Sequence, residues 1–221
     1  MNEHRVSAKV WDLPVRVIHW LLVLLIVMSW LTAEFDLLPL HHLSGYLILA
    51  LVITRIAWGF IGSTTARFTH FVKGPKAVAA YAAIVFQRGG KSIVGHNPLG
   101  ALSIVAMLGL LLLQTILGLF SEDADGVGPG PLADLLTRQT GRAVADVHEL
   151  VFNVLLFTIA LHIAAVLFHT CYKRDTLIRP MFTGRKILSD GSVHALRFVP
   201  SKWALVIFAA AFALVLIIAA V

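Results

Sequence analysis

The sequence predicts an all-α integral membrane protein. Hydrophobic residues make up 58% of its 221 residues and charged residues only 14%, whereas a soluble domain is about half apolar and a quarter charged. Several runs of about 20 apolar residues are long enough to cross a bilayer as helices. These runs do not alternate apolar with polar residues, as the strands of a membrane β-barrel must.

Five membrane spans follow from these runs. They are predicted over residues 14–33, 41–61, 98–120, 146–171 and 202–221. The segment GPKAVAAYAAIVFQRGG, between the second and third runs, is too short to span. Pro75 near its start and Gly89-Gly90 at its end predict a short helix along the membrane interface.

The charges of the connecting segments predict the orientation. The N-terminal tail and the segments after the second and fourth spans are rich in Lys and Arg, whereas the segments after the first and third spans are acidic. Basic residues collect on the cytoplasmic side. The N-terminus should therefore be cytoplasmic, and with five spans the C-terminus should lie outside. The N-terminus is too polar for a signal peptide, so we expect the first span to remain in the mature protein.

Composition also excludes several classes of function. The net charge of +6 is explained by the basic loops, and no nucleic-acid-binding motif accompanies it, so no nucleic-acid partner is expected. The single cysteine, Cys171, excludes an internal disulfide and a four-cysteine iron–sulfur cluster. No CxxCH motif is present, so the chain does not attach a c-type haem covalently.

Four histidines of the spans fall into two pairs by depth. His148 and His162 are fourteen residues apart, which is close to four helical turns, so they share one face and are separated by about 21 Å. His41 begins the second span on the outer side, as His148 begins the fourth. His19 lies about two turns into the first span from the cytoplasmic side, at the depth of His162. This gives an outer pair, His41 with His148, and an inner pair, His19 with His162.

Two stacked pairs of imidazoles in an apolar bundle predict two haems. A haem is flat and largely apolar, and helices on opposite walls of a bundle supply ligands to its two faces. Ligation by two histidines leaves no open iron position, which favours electron transfer over oxygen chemistry. The geometry therefore predicts an all-α membrane bundle that holds two haems, one above the other.

Alternatives remain open at this stage. The rival function is a transporter or channel that uses its histidines for protons or metal, although the span interiors lack carboxylates for a relay. A third reading is a membrane anchor with a purely structural haem. His42 competes with His41, because adjacent helical residues point about 100° apart and only one of them ligates. His169 lies on the same helix face as His162, near the cytoplasmic surface. There it could contact a haem propionate or a quinone, or it could be an ordinary interfacial residue.

Six segments carry a family resemblance: VWDLPVRVIHW, HHLSGYLILALVITRIAWGFIGS, ARFTHFV, GHNPLGAL, HELVFNVLLFTIALHIAAV and RDTLIRPMFTGRK. With them the chain resembles the bacterial cytochrome b561 family, which includes the cytochrome b subunits of nickel–iron hydrogenases. The resemblance runs from about Trp11 to Lys186. It implies a four-helix core with two b haems, whose ligands come from helices one, two and four.

The resemblance also implies particular ligands. The family pattern on helix two is His, three residues and Gly, often followed by an aromatic residue. Here it reads His41 to Gly45-Tyr46, which selects His41 over His42. His19 matches the histidine of the family's HW motif, and His148 and His162 match its two on helix four. The dihaem bundle would occupy residues 1–186. Residues 187–221 would form a linker and a fifth helix that packs on the bundle or contacts a partner subunit.

Two arginines are predicted to pair with haem propionates. Arg16 lies three residues before His19, near the cytoplasmic surface, and Arg55 lies fourteen residues after His41. A charge within a span calls for an anion or a polar partner. Snorkelling of the Arg55 side chain to the interface is an equal alternative.

The predicted function is transfer of electrons between the quinone pool and a partner redox protein. The family implies a hydrogenase or a periplasmic c-type cytochrome as partner. The acidic outer segment after the third span could dock a basic c-type cytochrome. Quinone is the expected substrate, near one haem at a membrane face. The sequence assigns no catalytic residue. It leaves open whether the chain is an electron carrier or the cytochrome b subunit of a quinone oxidoreductase, and whether it forms a homodimer.

Overall fold

The structure is a computed structural model that describes residues 5–87, 94–122, 128–189 and 196–220. Helices dominate it. The helices are α1 (Leu13–Glu34), α2 (Leu38–Ile61), α3 (Phe68–Phe71), α4 (Pro75–Ile84), α5 (Pro98–Phe120), α6 (Arg138–Leu167), α7 (Ile178–Thr183) and α8 (Lys202–Ala219). The strands are β1 (Arg5–Lys9) and β2 (Arg185–Ser189).

The predicted all-α membrane architecture is confirmed. Within the described residues, five helices are long and apolar enough to cross a membrane: α1, α2, α5, α6 with the turn that follows it, and α8. α6 begins at Arg138, before the predicted start of the fourth span at residue 146, which stays a prediction. Thr137 accepts a hydrogen bond from the Thr140 N–H at 3.2 Å and caps the helix. Hydropathy does not detect these polar first turns.

Two compact units divide the chain. The first unit is composed of Met1–Val17, Ala57–Ala106 and Thr158–Ala204, and the second of Ile18–Ile56, Met107–Phe157 and Leu205–Val221. The long helices α1, α2, α5 and α6 each contribute residues to both units.

A small antiparallel sheet in the first unit was not predicted. Lys9 of β1 lies opposite Arg185 of β2, and Arg5 lies opposite Ser189. The predicted division of the chain after residue 186 falls inside β2 and stays a prediction. Each strand has only five residues, and its partner is far away in sequence, so no local sequence pattern predicts the pairing.

Buried polar contacts fix the start of α1 in the first unit. One carboxylate oxygen of Asp12 accepts the Val15 N–H at 2.9 Å and the other accepts the indole N–H of Trp58 at 2.8 Å. The N–H groups of Val10 and Trp11 donate to the Gly184 carbonyl at 2.8 and 3.1 Å. Gly184 has φ 75°, and a Cβ there would lie 2.9 Å from the Trp11 carbonyl oxygen, so this turn requires glycine.

The fifth helix packs against two others in the second unit. A buried apolar cluster joins residues of α2, α5 and α8: Leu49, Ala50, Leu119, Ala211 and Val215. The packing role expected for this helix is therefore seen in the second unit.

The short helix predicted after the second span is confirmed as α4, which starts at Pro75 and has no buried residue. Its predicted end at Gly89-Gly90 lies outside the described residues.

Candidate functional site

Two predicted ligands meet in the second unit. The ring centroids of His41 on α2 and His148 on α6 are 6.4 Å apart, and the ring planes are inclined by 79°. An imidazole nitrogen binds a transition metal at about 2 Å, so two imidazoles on opposite sides of one metal have centroids about 6 Å apart. The observed separation therefore suits one metal ion between the two rings.

Main-chain carbonyls orient both rings. The Nδ1–H of His41 donates to the Ser29 carbonyl oxygen of α1 at 2.9 Å, and the Nδ1–H of His148 donates to the Gln114 carbonyl oxygen of α5 at 2.9 Å. A carbonyl accepts only, so each Nδ1 carries the proton and each Nε2 presents its lone pair. This is the usual arrangement around metal-binding histidines.

Gln114 also contacts the metal-binding nitrogen of His148. Its side-chain amide nitrogen donates to His148 Nε2 at 3.0 Å. Metal binding uses the same lone pair, so ligation by His148 requires the amide to rotate away. Within the described residues the buried Oε1 of Gln114 has no hydrogen-bond partner. Sequence reasoning missed this residue, although an amide in the middle of an apolar span was a signal for it.

Two glycines shape the space around these rings. A Cβ at Gly118 on α5 would lie 3.1 Å from Cε1 of His148, so the α5 backbone lies directly against that ring. A Cβ at Gly45, one turn after His41, would meet nothing within 4 Å. The open space beside Gly45 allows a flat ring to approach the α2 backbone next to His41.

His42 has different neighbours from His41. Its ring centroid lies 6.3 Å from that of Tyr46, and a ring nitrogen hydrogen-bonds the Gly128 backbone. The structure brings His41, by contrast, to His148. This arrangement supports the choice of His41 over His42.

The other two predicted ligands lie in different units, His19 in the second and His162 in the first. His19 is half-buried on α1, with its ring edge-on to Trp20 at 4.9 Å. His162 is half-buried on α6, and its ring makes no hydrogen bond within the part of the chain that the structure describes. The pairing of these two histidines stays a prediction.

The two predicted propionate partners differ in their surroundings. The Arg16 guanidinium donates to the carbonyl of Asp12 at 3.3 Å and to the carbonyl of Phe182, so it joins the start of α1 to α7 in the first unit. Arg55 is only 6% exposed on α2, in the second unit.

A polar cluster in the first unit surrounds His169, which is buried where α6 ends in a π-helical turn, Phe168–Tyr172. His169 Nε2 lies 3.5 Å from the Asn97 amide, at the N-terminus of α5. The His169 carbonyl accepts the Asp175 N–H at 3.0 Å. The Asp175 carboxylate in turn holds the buried ammonium of Lys186 at 2.9 and 3.0 Å. Short π-helical turns are frequent at functional sites.

Aromatic and charged side chains complete this cluster. The Lys173 ammonium lies 5.5 Å from the centre of the Tyr81 ring. Burial, and then the Asp175 carboxylate, raises the pKa of the Tyr81 hydroxyl. The sequence placed His169 near the cytoplasmic surface with three roles open, but it did not predict the strand on which the ion pair of Asp175 with Lys186 depends.

The donor set at His41 and His148 fits a haem. Two imidazoles whose Nδ1 protons are held by backbone carbonyls lie with their ring centroids 6.4 Å apart, and an open glycine surface lies beside one of them; ligation by His148 requires only that the Gln114 amide leave its Nε2. No group of three or more His, Cys, Asp or Glu side chains arranged for a metal ion occurs among the described residues. Helical membrane spans with an opposed imidazole pair define a candidate membrane cytochrome.

The chain belongs to the prokaryotic cytochrome b561 family, whose model matches residues 10–184. It is therefore a b-type cytochrome of a bacterial membrane, it crosses that membrane several times, and its part in the cell is electron transport with haem b as cofactor. At His41 and His148 the imidazoles would hold the iron, and the haem supplies reversible one-electron chemistry when bound.

Relatives are similar over most of their length. One from Rhizobium leguminosarum bv. viciae is 25% identical over 220 residues, which cover 84% of this chain and 91% of the relative. One from Azotobacter chroococcum mcd 1 is 24% identical over 216 residues, 82% of this chain and 89% of the relative. One from Rhodobacter capsulatus is 23% identical over 226 residues, 86% of this chain and 85% of the relative. Each is named as a probable Ni/Fe-hydrogenase B-type cytochrome subunit. No solved structure matches the chain significantly.

Proposed function

We propose that this protein is a dihaem cytochrome b that carries electrons between a nickel–iron hydrogenase and the quinone pool. The observation that carries the proposal is the pair His41 and His148, with ring centroids 6.4 Å apart and both Nδ1 protons held by backbone carbonyls. The names of the relatives, which match along most of the chain, supply the hydrogenase as partner.

The second haem of this proposal lies between His19 and His162. Its support is the fourteen-residue separation of His148 and His162, which places both on one face of α6. A second support is that the half-buried imidazole of His162, within an apolar span, has no hydrogen bond among the described residues. Such a group is costly in a membrane unless a ligand uses it.

We propose that two arginines form ion pairs with haem propionates: Arg16 and Arg55. Arg55 is buried within a span, where a guanidinium calls for an anion. For Arg16 the support is its place three residues before His19, although its guanidinium already binds two carbonyls.

The polar cluster around His169 is where we propose that quinone binds. Reduction of a quinone to quinol takes up two electrons and two protons, so its site needs groups that exchange protons. His169 can accept and donate a proton at Nε2, and Asn97 offers an amide beside it. The positive end of α5 favours a quinone oxygen at the same place.

The orientation follows from the basic segments at the N-terminus and after α2 and α6. We propose that the N-terminus and the quinone cluster face the cytoplasm of the bacterial inner membrane, and that the C-terminus is periplasmic. The acidic segment after α5 then faces the hydrogenase. The dihaem core is proposed to occupy residues 1–186, with the remaining residues as linker and fifth helix.

Spectroscopy of ligand variants tests the haem sites. The purified protein should show sharp b-type bands when dithionite reduces it, with two haems per chain by the pyridine assay. His41→Ala and His148→Ala should each lose the same one of them, and His19→Ala and His162→Ala the other. His42→Ala is the matched control and should keep both. A colourless protein would refute the proposal and favour the transporter alternative, and loss of haem from the His42 variant alone would reassign the ligand.

Stopped-flow mixing with quinol tests the quinone site. In His169→Leu protein that keeps both haems, reduction by quinol should be about a hundredfold slower, the usual effect of losing one acid–base group. Cys171→Ser, two residues further and exposed, is the control and should react as the wild type does. Equal rates in the two variants would place the quinone elsewhere.

A further inference from the structure

One face of the β1–β2 sheet in the first unit is basic and exposed. Alternate strand residues point to opposite faces, and Lys9 pairs with Arg185 as Ser7 pairs with Ile187. All four of these side chains are exposed, whereas Ala8, Lys186 and Leu188 of the same strands are buried. We define the basic face as these four residues, Ser7, Lys9, Arg185 and Ile187.

The two cations of the basic face lie directly opposite one another. Like charges in a directly paired position destabilise a sheet. The Arg185 guanidinium donates to the hydroxyl and the carbonyl of Ser7, at 3.2 and 3.0 Å, and the Lys9 ammonium lies 4.5 Å from the Phe198 ring centre. Within the described residues neither cation forms an ion pair with a carboxylate. An external anion would therefore remove an unfavourable contact.

The chain places this face at the edge of the membrane. Only three residues separate the end of β1 from the first residue of α1, which is long and apolar enough to cross the membrane, so the sheet lies at the level of the headgroups. Exposed apolar side chains accompany the cations: Ile187 and Phe182 are both 59% exposed. Cations beside exposed apolar side chains are typical of surfaces that lie in the headgroup region. A soluble acidic partner would not need the apolar side chains.

We propose that the basic face binds the phosphate groups of anionic phospholipids in the leaflet that surrounds the start of α1. The forked guanidinium of Arg185 suits phosphate oxygens, and the Lys9 ammonium adds a second positive charge across the strand. The bound lipid offsets the repulsion between the two cations and stabilises the sheet. This inference does not depend on haem binding or on quinone.

Nanodiscs of defined composition test this. Full-length protein is placed in phosphatidylcholine discs with or without phosphatidylglycerol, and thermal unfolding is followed by tryptophan fluorescence. We expect phosphatidylglycerol to raise the melting temperature of the wild type by about 2–4 °C for each cation engaged. Lys9→Gln/Arg185→Gln should lose most of that gain, and Lys9→Arg should keep it.

The control removes the same charge elsewhere. Lys73→Gln/Lys76→Gln, which changes two exposed lysines just before and within the first turn of α4, should keep the full gain. A gain that persists without Lys9 and Arg185, an equal loss in the control, or no gain in the wild type would each overturn the proposal. So would inorganic phosphate that reproduces the gain in phosphatidylcholine discs, because a free anion would then suffice. If the double variant melts below the wild type in pure phosphatidylcholine, the difference between the two disc types remains the measured quantity.

Discussion

Gly118→Ala should perturb one haem and leave the other unchanged. The added methyl carbon would lie 3.1 Å from Cε1 of His148 and 3.5 Å from its Nδ1. The distance to Cε1 is about 0.3 Å shorter than the 3.4 Å at which ordinary van der Waals contact begins. Because the ring is held at Nδ1 by the Gln114 carbonyl at 2.9 Å, it cannot move away without straining that hydrogen bond.

The expected magnitude follows from overpacking. An extra methyl group in a well-packed position costs about 1–3 kcal/mol, which corresponds to a roughly five- to hundredfold weaker hold on the haem at His148. Part of this cost is offset by the better helix propensity of alanine, by up to about 1 kcal/mol. The ligand set itself is unchanged, so the haem that remains should keep its b-type spectrum.

Haem content and a potentiometric titration measure the effect. If the proposed two haems are present, the titration should resolve two components, and only the one that His148→Ala abolishes should shift or diminish. Gly109→Ala is the matched control, because it lies on the same helix and its Cβ would meet nothing within 4 Å. If the two alanine variants gave the same haem content and the same two potentials, His148 would not be held against α5 as the structure has it.

Three further predictions concern the first unit. Asp175→Asn leaves the buried Lys186 ammonium without its carboxylate and should cost about 2–4 kcal/mol, seen as a lower melting temperature that Lys186→Met in the same chain restores. Trp58→Phe removes the indole donor from the buried Asp12 carboxylate and should cost about 1–3 kcal/mol in the same measurement, with Trp203→Phe on the exposed start of α8 as a neutral control. Burial, and then the charge of Lys73, lowers the pKa of His70, so the unfolded chain takes up a proton that the folded protein does not. Stability should therefore fall as the pH drops through about 6.5, and an unchanged pH profile of melting temperature in His70→Gln would contradict this.

Much of the site was predictable because helices repeat regularly. A period of 3.6 residues puts His148 and His162 on one face of α6 whatever the rest of the protein does. The apolar runs locate the spans because a bilayer demands helices of about 20 residues. The family motifs then distinguish His41 from His42, and the contact of His41 with His148 supports that choice.

Other parts of the site depend on contacts between distant segments. The carbonyls of Ser29 and Gln114 orient the two imidazoles only because α1 and α5 lie beside them in the second unit. The ion pair of Asp175 with Lys186 needs β2, and β2 needs β1, which is nearly the whole chain away. No local pattern predicts these contacts. Every residue has a backbone carbonyl, so the residue type does not show which carbonyl accepts the hydrogen bond, and the ion-pair partners come from separate segments.

By itself, the sequence determined the number of spans, the class of protein and the face on which each histidine lies, because periodicity and hydropathy are local properties of a helix in a membrane. Only the tertiary structure decided how closely His41 approaches His148, which atoms fix their tautomers and where the sheet places its two cations. These features arise from side chains and carbonyls on elements far apart in the chain, and packing alone brings them together.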